Sequence, residues 1–461
     1  MTQTKADNFY NDSRVSQALS LLEESLKEHQ SSINQVQGPV AELKTTYDEA
    51  FNQLGKDRGS PPFYKYLGSG IGNGPLVELA DGSVKYDFII GIGVHHFGHS
   101  HPEVMKAMVK GAISNTAMQG NLQQNVDQAT YMNTLLSYAN KYQAGFDHCF
   151  FTTTGAMAGE NALKMIFQKL NPKSRVFAFE KCFMGRTLAI SQITDKPVYR
   201  DGLPESLRVD YIPFYDENDH EGSIKRSVEA LKEQIKRHPD QHAVFCMELI
   251  QGEAGSWVGN TDFFNALIDV CKEHHIAILV DEVQTFARTS ELFAFQHFKL
   301  DKRVDFVNIG KNSQVCATFF RKEFKPRPGL VSQTFTAAGT AISAGQYIVD
   351  TLMKNNYFGE DGKNMQIHRY FTNHLKELNK KYPQAIKGPH GIGVMVAMTL
   401  FEGDAHKSKE FTKKLFDAGV LSFVAGSNPT RVRFLLPAGC IEEKHMDDVA
   451  QIIESVIKDM I

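Results

Sequence analysis

The sequence predicts an α/β protein: a large domain around a mostly parallel central sheet, and a smaller α+β domain. Between about residues 145 and 325, short continuous apolar runs of strand length alternate with amphipathic stretches. That pattern marks strands buried on both faces between covering helices. Beyond about residue 345 the chain turns helix-rich with only a few strand-like runs, which sets off the second domain.

The elements follow in chain order. From Ser13 to about Leu54, Val15, Leu19, Leu22 and Leu26 recur at helical spacing in a Gln- and Glu-rich background, predicting an amphipathic helical extension for packing or dimer assembly. Gly68 to Gly74 reads as a glycine-rich turn. It does not satisfy GxGxxG, because Asn73 and Pro75 occupy the required last positions and no buried strand precedes it, which argues against a nicotinamide oxidoreductase. Val176 to Phe179, Val244 to Met247, Ile276 to Val280 and Phe306 to Ile309 are the core strands, and Phe263 to Cys271 is a covering helix. Strands are expected within Gly391 to Leu400 and Val432 to Leu436, and a last helix over Glu443 to Ile457.

Composition narrows the partners. A chain of 461 residues, 42% hydrophobic and 22% charged, can bury a large core. Net charge is −3 and the isoelectric point is near 6.6, so no basic field exists for nucleic acid or an anionic membrane. The six cysteines are far apart and form no CxxC pair, the pattern of reduced, buried thiols. The first residues lack a signal-peptide core, and no later run of about 18 apolar residues appears. A cytoplasmic enzyme acting on small molecules is the expectation.

Open parallel sheets bind ligands beyond the carboxyl ends of their strands. Ile276 to Val280 runs into Asp281-Glu282-Val283-Gln284-Thr285, and Phe306 to Gly310 delivers Lys311 at the end of the next core run. A lysine there can form an imine with an aldehyde, and a nearby acid can keep a pyridine nitrogen protonated. Taken singly, such an Asp is as readily a helix cap and such a Lys a surface charge; their joint placement is the signal. Thr152 to Lys164 is a small-residue turn opening into a helix, which reads as a phosphate site or a plain capped helix. His95-His96-Phe97-Gly98-His99-Ser100-His101 invites a metal reading, but no Cys or paired carboxylate completes a ligand set. No metal is expected.

With these motifs assembled, the chain from about residue 60 to its C-terminus resembles the class III (omega-amino acid) pyridoxal-phosphate-dependent aminotransferases. Asp281 to Thr285 matches the family's Asp-Glu-(Val/Ile)-Gln-Thr, Gly310-Lys311 its Gly-Lys, and Thr154-Gly155-Ala156 its phosphate loop. Phe183 to Thr187 matches an aromatic-His-Gly-Arg-Thr motif, Glu248 to Gly252 a Glu-Pro-x-Gln-Gly, and Arg433 to Pro437 an Arg-(apolar)2-x-Pro. The resemblance implies pyridoxal 5'-phosphate as cofactor and fold type I. It implies an N-terminal helical segment over residues 1–75 packing with the small domain, a cofactor-binding domain over 76–340 and a small domain over 341–461.

By the same resemblance Lys311 carries the cofactor as a Schiff base, Asp281 pairs with its ring nitrogen, Gln284 lies near the phenolic oxygen and Phe183 stacks on the ring. Arg186 and Arg433 receive substrate carboxylates, Glu248 can pair with Arg433 when its carboxylate is absent, and Thr334 reaches the phosphate of a neighbouring subunit, implying a homodimer. Three departures stand out: Met184 replaces His, Leu249 replaces Pro, and Gln314-Val315-Cys316-Ala317 replaces a glycine-rich run. The last is similar to lysine 6-aminotransferases, whereas Ile92 is similar to 4-aminobutyrate aminotransferases. The expected reaction is ping-pong transfer of a terminal amine from a lysine-, 4-aminobutyrate-, ornithine- or acetylornithine-type donor to 2-oxoglutarate. The competing readings are an aminomutase or decarboxylase of the same fold, and a non-catalytic relative.

Overall fold

The computed structural model describes residues 4–461, which divide into two compact units. One comprises residues 115–366 with 390–395; the other joins the residues up to 114 with 367–389 and 396–461.

The first of these is built on a seven-stranded sheet. Its strands are β1 (His148–Thr152), β2 (Arg175–Phe179), β3 (Arg208–Ile212), β4 (His242–Met247), β5 (Ala277–Glu282), β6 (Phe306–Ile309) and β7 (Cys316–Phe320). The spatial order is β1-β7-β6-β5-β4-β2-β3. The neighbours from β3 to β6 are parallel, and β7 is antiparallel to both β6 and β1.

The continuous apolar runs become strands because both faces of the sheet are covered, and every residue of β4 and β5 is buried. Register assigns the faces. Phe177 pairs with Phe245 and Phe245 with Ile278; on this face Phe179 meets Phe263 and Phe264 of the helix Thr261–Glu273. Asp281 pairs with Asn308 and Asn308 with Thr318 on the opposite face. There the Thr318 hydroxyl donates to the carbonyl of Ala158 at 2.9 Å, in the helix Gly155–Leu170.

In the other unit the predicted N-terminal extension forms two helices, Ser13–Gln30 and Lys44–Asp57. Of its apolar stripe Leu19 is buried, while Leu22 stays exposed. The glycine-rich turn expected over Gly68 to Gly74 is instead a strand, Gly68–Asn73, paired antiparallel with Leu76–Leu79. Gly72 serves close approach: a Cβ there would sit 2.5 Å from both the His99 Cβ and the Leu76 carbonyl oxygen. A separate four-stranded sheet runs Ile386–Ile392, Met395–Leu400, Arg431–Leu435, Phe423–Ala425.

Candidate active site

β5 and β6 are hydrogen-bonded parallel neighbours, with Asp281 opposite Asn308 and Glu282 opposite Ile309. Asp281 and Lys311 therefore leave the same edge of the sheet. Asp281 is 8% exposed, and its Oδ1 accepts the Val283 N–H at 2.9 Å. Burial pushes its carboxyl up to about 6, against the downward pull of that N–H and of the Lys311 charge.

Lys311 opens a single 3-10 turn, Lys311–Ser313, and holds a left-handed φ of 57°. Its carbonyl accepts the Gln314 N–H at 2.9 Å and the Gln314 Nε2 at 3.2 Å. The preceding Gly310 leaves room for two neighbours: a Cβ there would lie 2.8 Å from the Cys316 Sγ and 3.2 Å from the Val283 Cγ1. Val283 also closes on the phosphate-loop candidate, since a Cβ on Gly155 would lie 2.7 Å from its Cγ2. One side chain thus touches the start of the helix Gly155–Leu170 and the approach to Lys311.

Thr154 caps that helix, its side chain accepting the Met157 N–H at 3.2 Å. Gly155 and Ala156, in the first turn, present backbone N–H groups with no partner inside the helix. Gly185 passes directly over them: its Cβ would lie 2.8 Å from that of Ala156, and its φ of 129° suits glycine. This fixes the segment carrying Phe183 and Arg186 beside the helix end. The Phe183 N–H donates to the Glu248 Oε2 at 2.8 Å, and burial pushes the Glu248 carboxyl up to about 8. The Arg186 guanidinium stacks 3.9 Å from the centre of the Tyr199 ring, a cation–π contact.

Gln284 crosses the Glu248 to Gly252 segment, where a Cβ on Gly252 would meet its Oε1 at 2.2 Å. Thr334 is exposed. Its neighbour Gln333 accepts the Thr152 hydroxyl at 2.8 Å, which ties this loop to the residues before Thr154. Lys311, Asp281, Gln284, Thr154, Gly155, Ala156, Phe183, Arg186, Glu248 and Thr334 all belong to one compact unit.

Ile92 and Arg433 lie in the other unit. Ile92 is exposed and follows Ile90 and Gly91 in a run of positive φ angles of 46°, 65° and 58°. The Asp87 Oδ1 pins that turn by accepting the N–H groups of Ile89 at 3.0 Å and Ile90 at 2.6 Å. Arg433 is fully buried in its strand, its guanidinium 5.9 Å from the Phe423 ring centre. In the histidine cluster the His99 Nε2 pairs with the Asp87 Oδ2 at 2.9 Å. No group of three metal-ligating side chains occurs among the described residues.

Sequence reasoning missed Tyr199 and gave Val283 and Glu282 no role beyond their motif. Glu282 is fully buried and accepts the N–H groups of Ala294 at 2.6 Å and Phe295 at 2.7 Å, anchoring the chain after β5. Tyr199 lies in the short turn Pro197–Tyr199, and nothing in the linear sequence places it under Arg186.

The family model described as aminotransferase class-III matches residues 69–457. The acetylornithine aminotransferase of Methanocaldococcus jannaschii is 29% identical over 406 residues, covering 84% of this chain and 93% of that protein. That of Aquifex aeolicus is 28% identical, covering 84% and 96%. Among solved structures, lysine aminotransferase from M. tuberculosis is similar with a TM-score of 0.79 at 21% identity, covering 89% of this chain and all of that one. The ornithine aminotransferase from Toxoplasma gondii ME49 is similar with a TM-score of 0.75 at 22% identity, covering 89% and 95%.

Proposed function

The chain belongs to the class-III aminotransferases, and on that premise we propose that Lys311 is its cofactor-bearing lysine and Asp281 the acid facing the cofactor's ring nitrogen. The enzyme is a pyridoxal-phosphate-dependent transaminase. The observation that carries the residue assignment is the pairing of β5 with β6, which sends Asp281 and Lys311 out of one sheet edge.

The residues fit the cofactor. Thr154 and the N–H groups of Gly155 and Ala156 suit a phosphate, Val283 offers an apolar surface between that helix end and Gly310, and Asp281 is a buried carboxylate. The cofactor would supply an electrophilic carbon for the donor amine and a ring able to take up negative charge. Lys311 would hold the cofactor through its Nζ and, once released, would move a proton at the substrate carbon. Asp281 favours a protonated ring nitrogen. Arg186 is the group proposed for a substrate carboxylate, its guanidinium held against the Tyr199 ring. Donor and acceptor use the same lysine in turn, giving ping-pong kinetics.

The proposed donor carries its reactive amine at the end of a chain, of the lysine, ornithine, acetylornithine or 4-aminobutyrate type, and the acceptor is 2-oxoglutarate. Support comes from the names of the relatives, acetylornithine aminotransferases. The active form is proposed to be a homodimer. Leu122, Val126 and Phe335 are 95%, 78% and 56% exposed; Leu122 and Phe335 flank the close approach between Gly120 and the Thr334 carbonyl. The cytoplasm is the proposed compartment: all six cysteines are free thiols, and no helix among the described residues is long and apolar enough to cross a membrane.

The test is a donor panel with 2-oxoglutarate on wild type and Lys311→Ala. Turnover of at least one terminal-amine donor, lost in the variant, is expected. Activity only with α-amines, or an undiminished variant, contradicts the proposal.

A further inference from the structure

The turn bearing Lys311 is tied to the loop after Asp281 by two buried side chains. The Arg288 Nη1 donates to the Gln284 carbonyl at 2.8 Å, and its Nη2 donates to the Asn312 Oδ1 at 2.9 Å. The Asn312 Nδ2 returns to the same loop, donating to the Phe286 carbonyl at 3.1 Å. Arg288 and Asn312 are both fully buried. The amide thus closes a bridge from the residue next to the lysine to the backbone carrying Gln284.

What the bridge restrains is an unfavourable conformation. Lys311 and Gln314 both have left-handed φ angles, 57° and 60°. Side chains with a Cβ hold that region only when their surroundings over-determine it. On its far side the turn is held by the Tyr131 hydroxyl, which donates to the Ser313 carbonyl at 2.8 Å, and by the Ser313 hydroxyl, which donates to the Val315 carbonyl at 2.6 Å. On the side of the acid loop, the bonds of Asn312 and the packing of Val283 against Gly310 provide the restraint. Without the amide, the Lys311 backbone can relax toward an ordinary φ. A change of tens of degrees there displaces the Nζ at the end of a long side chain.

We infer that Asn312, held by Arg288, is a positioning residue that sets the direction of the Lys311 amine relative to Asp281 and Gln284. Through its bonds to Arg288 and to the Phe286 carbonyl, it acts on the amine by way of the Lys311 backbone. The inference rests on the proposed role of Lys311.

The experiment follows covalent capture of pyridoxal phosphate by cofactor-free enzyme through the visible absorbance of the lysine-bound cofactor, and then titrates that band with pH. Asn312→Ala is expected to slow capture at least roughly tenfold and to move the titration midpoint. Asn312→Asp keeps the acceptor for Arg288 but loses the donor to the Phe286 carbonyl, and is expected to fall between Asn312→Ala and wild type in its rate of capture. Asn140 is the control: its side chain accepts the N–H groups of Gly145 and Phe146 in a loop elsewhere in the unit. Asn140→Ala is expected to lower the melting temperature without moving the midpoint. If Asn312→Ala does not accumulate as folded protein, Asn312→Ser takes its place. Capture within about twofold of wild type together with an unmoved midpoint overturns the inference. So does an equal midpoint shift in Asn140→Ala, which would reduce the effect to general destabilisation. Lys311→Ala tests the underlying reading separately: capture surviving in that variant defeats the lysine assignment, whereas capture lost there but normal in Asn312→Ala defeats only the role of Asn312.

Discussion

Asp281 stands opposite Asn308 on the neighbouring parallel strand, three residues before Lys311. The acid and the amine are thereby delivered by two directly paired strands, and their separation is set by strand register. Val283 then packs against glycines on both sides.

Replacing the acid should cost rate while sparing the fold. Asp281→Asn is expected to lower kcat at least roughly a hundredfold, about 3 kcal/mol of barrier. Steady-state kinetics with a saturating donor checks this, and an unchanged kcat removes the role given to Asp281.

The close contact of Val283 with Gly155 should limit what the helix start tolerates. Gly155→Ala places a methyl group 2.7 Å from the Val283 Cγ2, an overpacking that costs about 1–3 kcal/mol. Cofactor affinity is expected to fall roughly tenfold, and Val283→Ala in the same chain should restore part of it. Equilibrium dialysis of the single and double variants gives the coupling; strictly additive losses would show that the two residues act independently.

The Arg186–Tyr199 stack should matter for binding more than for chemistry. Tyr199→Leu removes a cation–π contact worth about 0.5–2 kcal/mol, so KM for 2-oxoglutarate is expected to rise roughly threefold to thirtyfold with kcat nearly unchanged. A fall in kcat with constant KM would place Tyr199 in the chemical step.

Buried acids give the cofactor-free protein a defined pH response. Glu248 is raised from 4.5 to about 8 by burial, so its folded pKa lies above its unfolded one. The neutral form favours the fold: that stability is complete below about 4.5 and is lost as pH climbs through about 8. Glu248→Gln, which cannot ionise, is therefore expected to flatten the fall in melting temperature across that window. Identical profiles for variant and wild type would contradict the assignment.

The large unit was the more legible part of the sequence, because strands covered on both faces must be apolar throughout. Asp281 and Lys311 were legible for the related reason that a polar residue ending such a run marks the sheet edge. The strand Gly68–Asn73 was not, since Gly72 serves contacts with His99, distant in sequence, and with the Leu76 backbone. Nor could spacing reveal Asn312 or Tyr199. Their roles arise from partners 24 and 13 positions away, Arg288 and Arg186, and follow from loop paths with no periodic signature.

The assignment of Lys311 is checked by borohydride reduction of the cofactor-loaded enzyme, followed by digestion and mass-spectrometric location of the labelled lysine. The label is expected on the peptide containing Lys311 and nowhere else. A label on any other lysine, with Lys311 unmodified, would contradict the account.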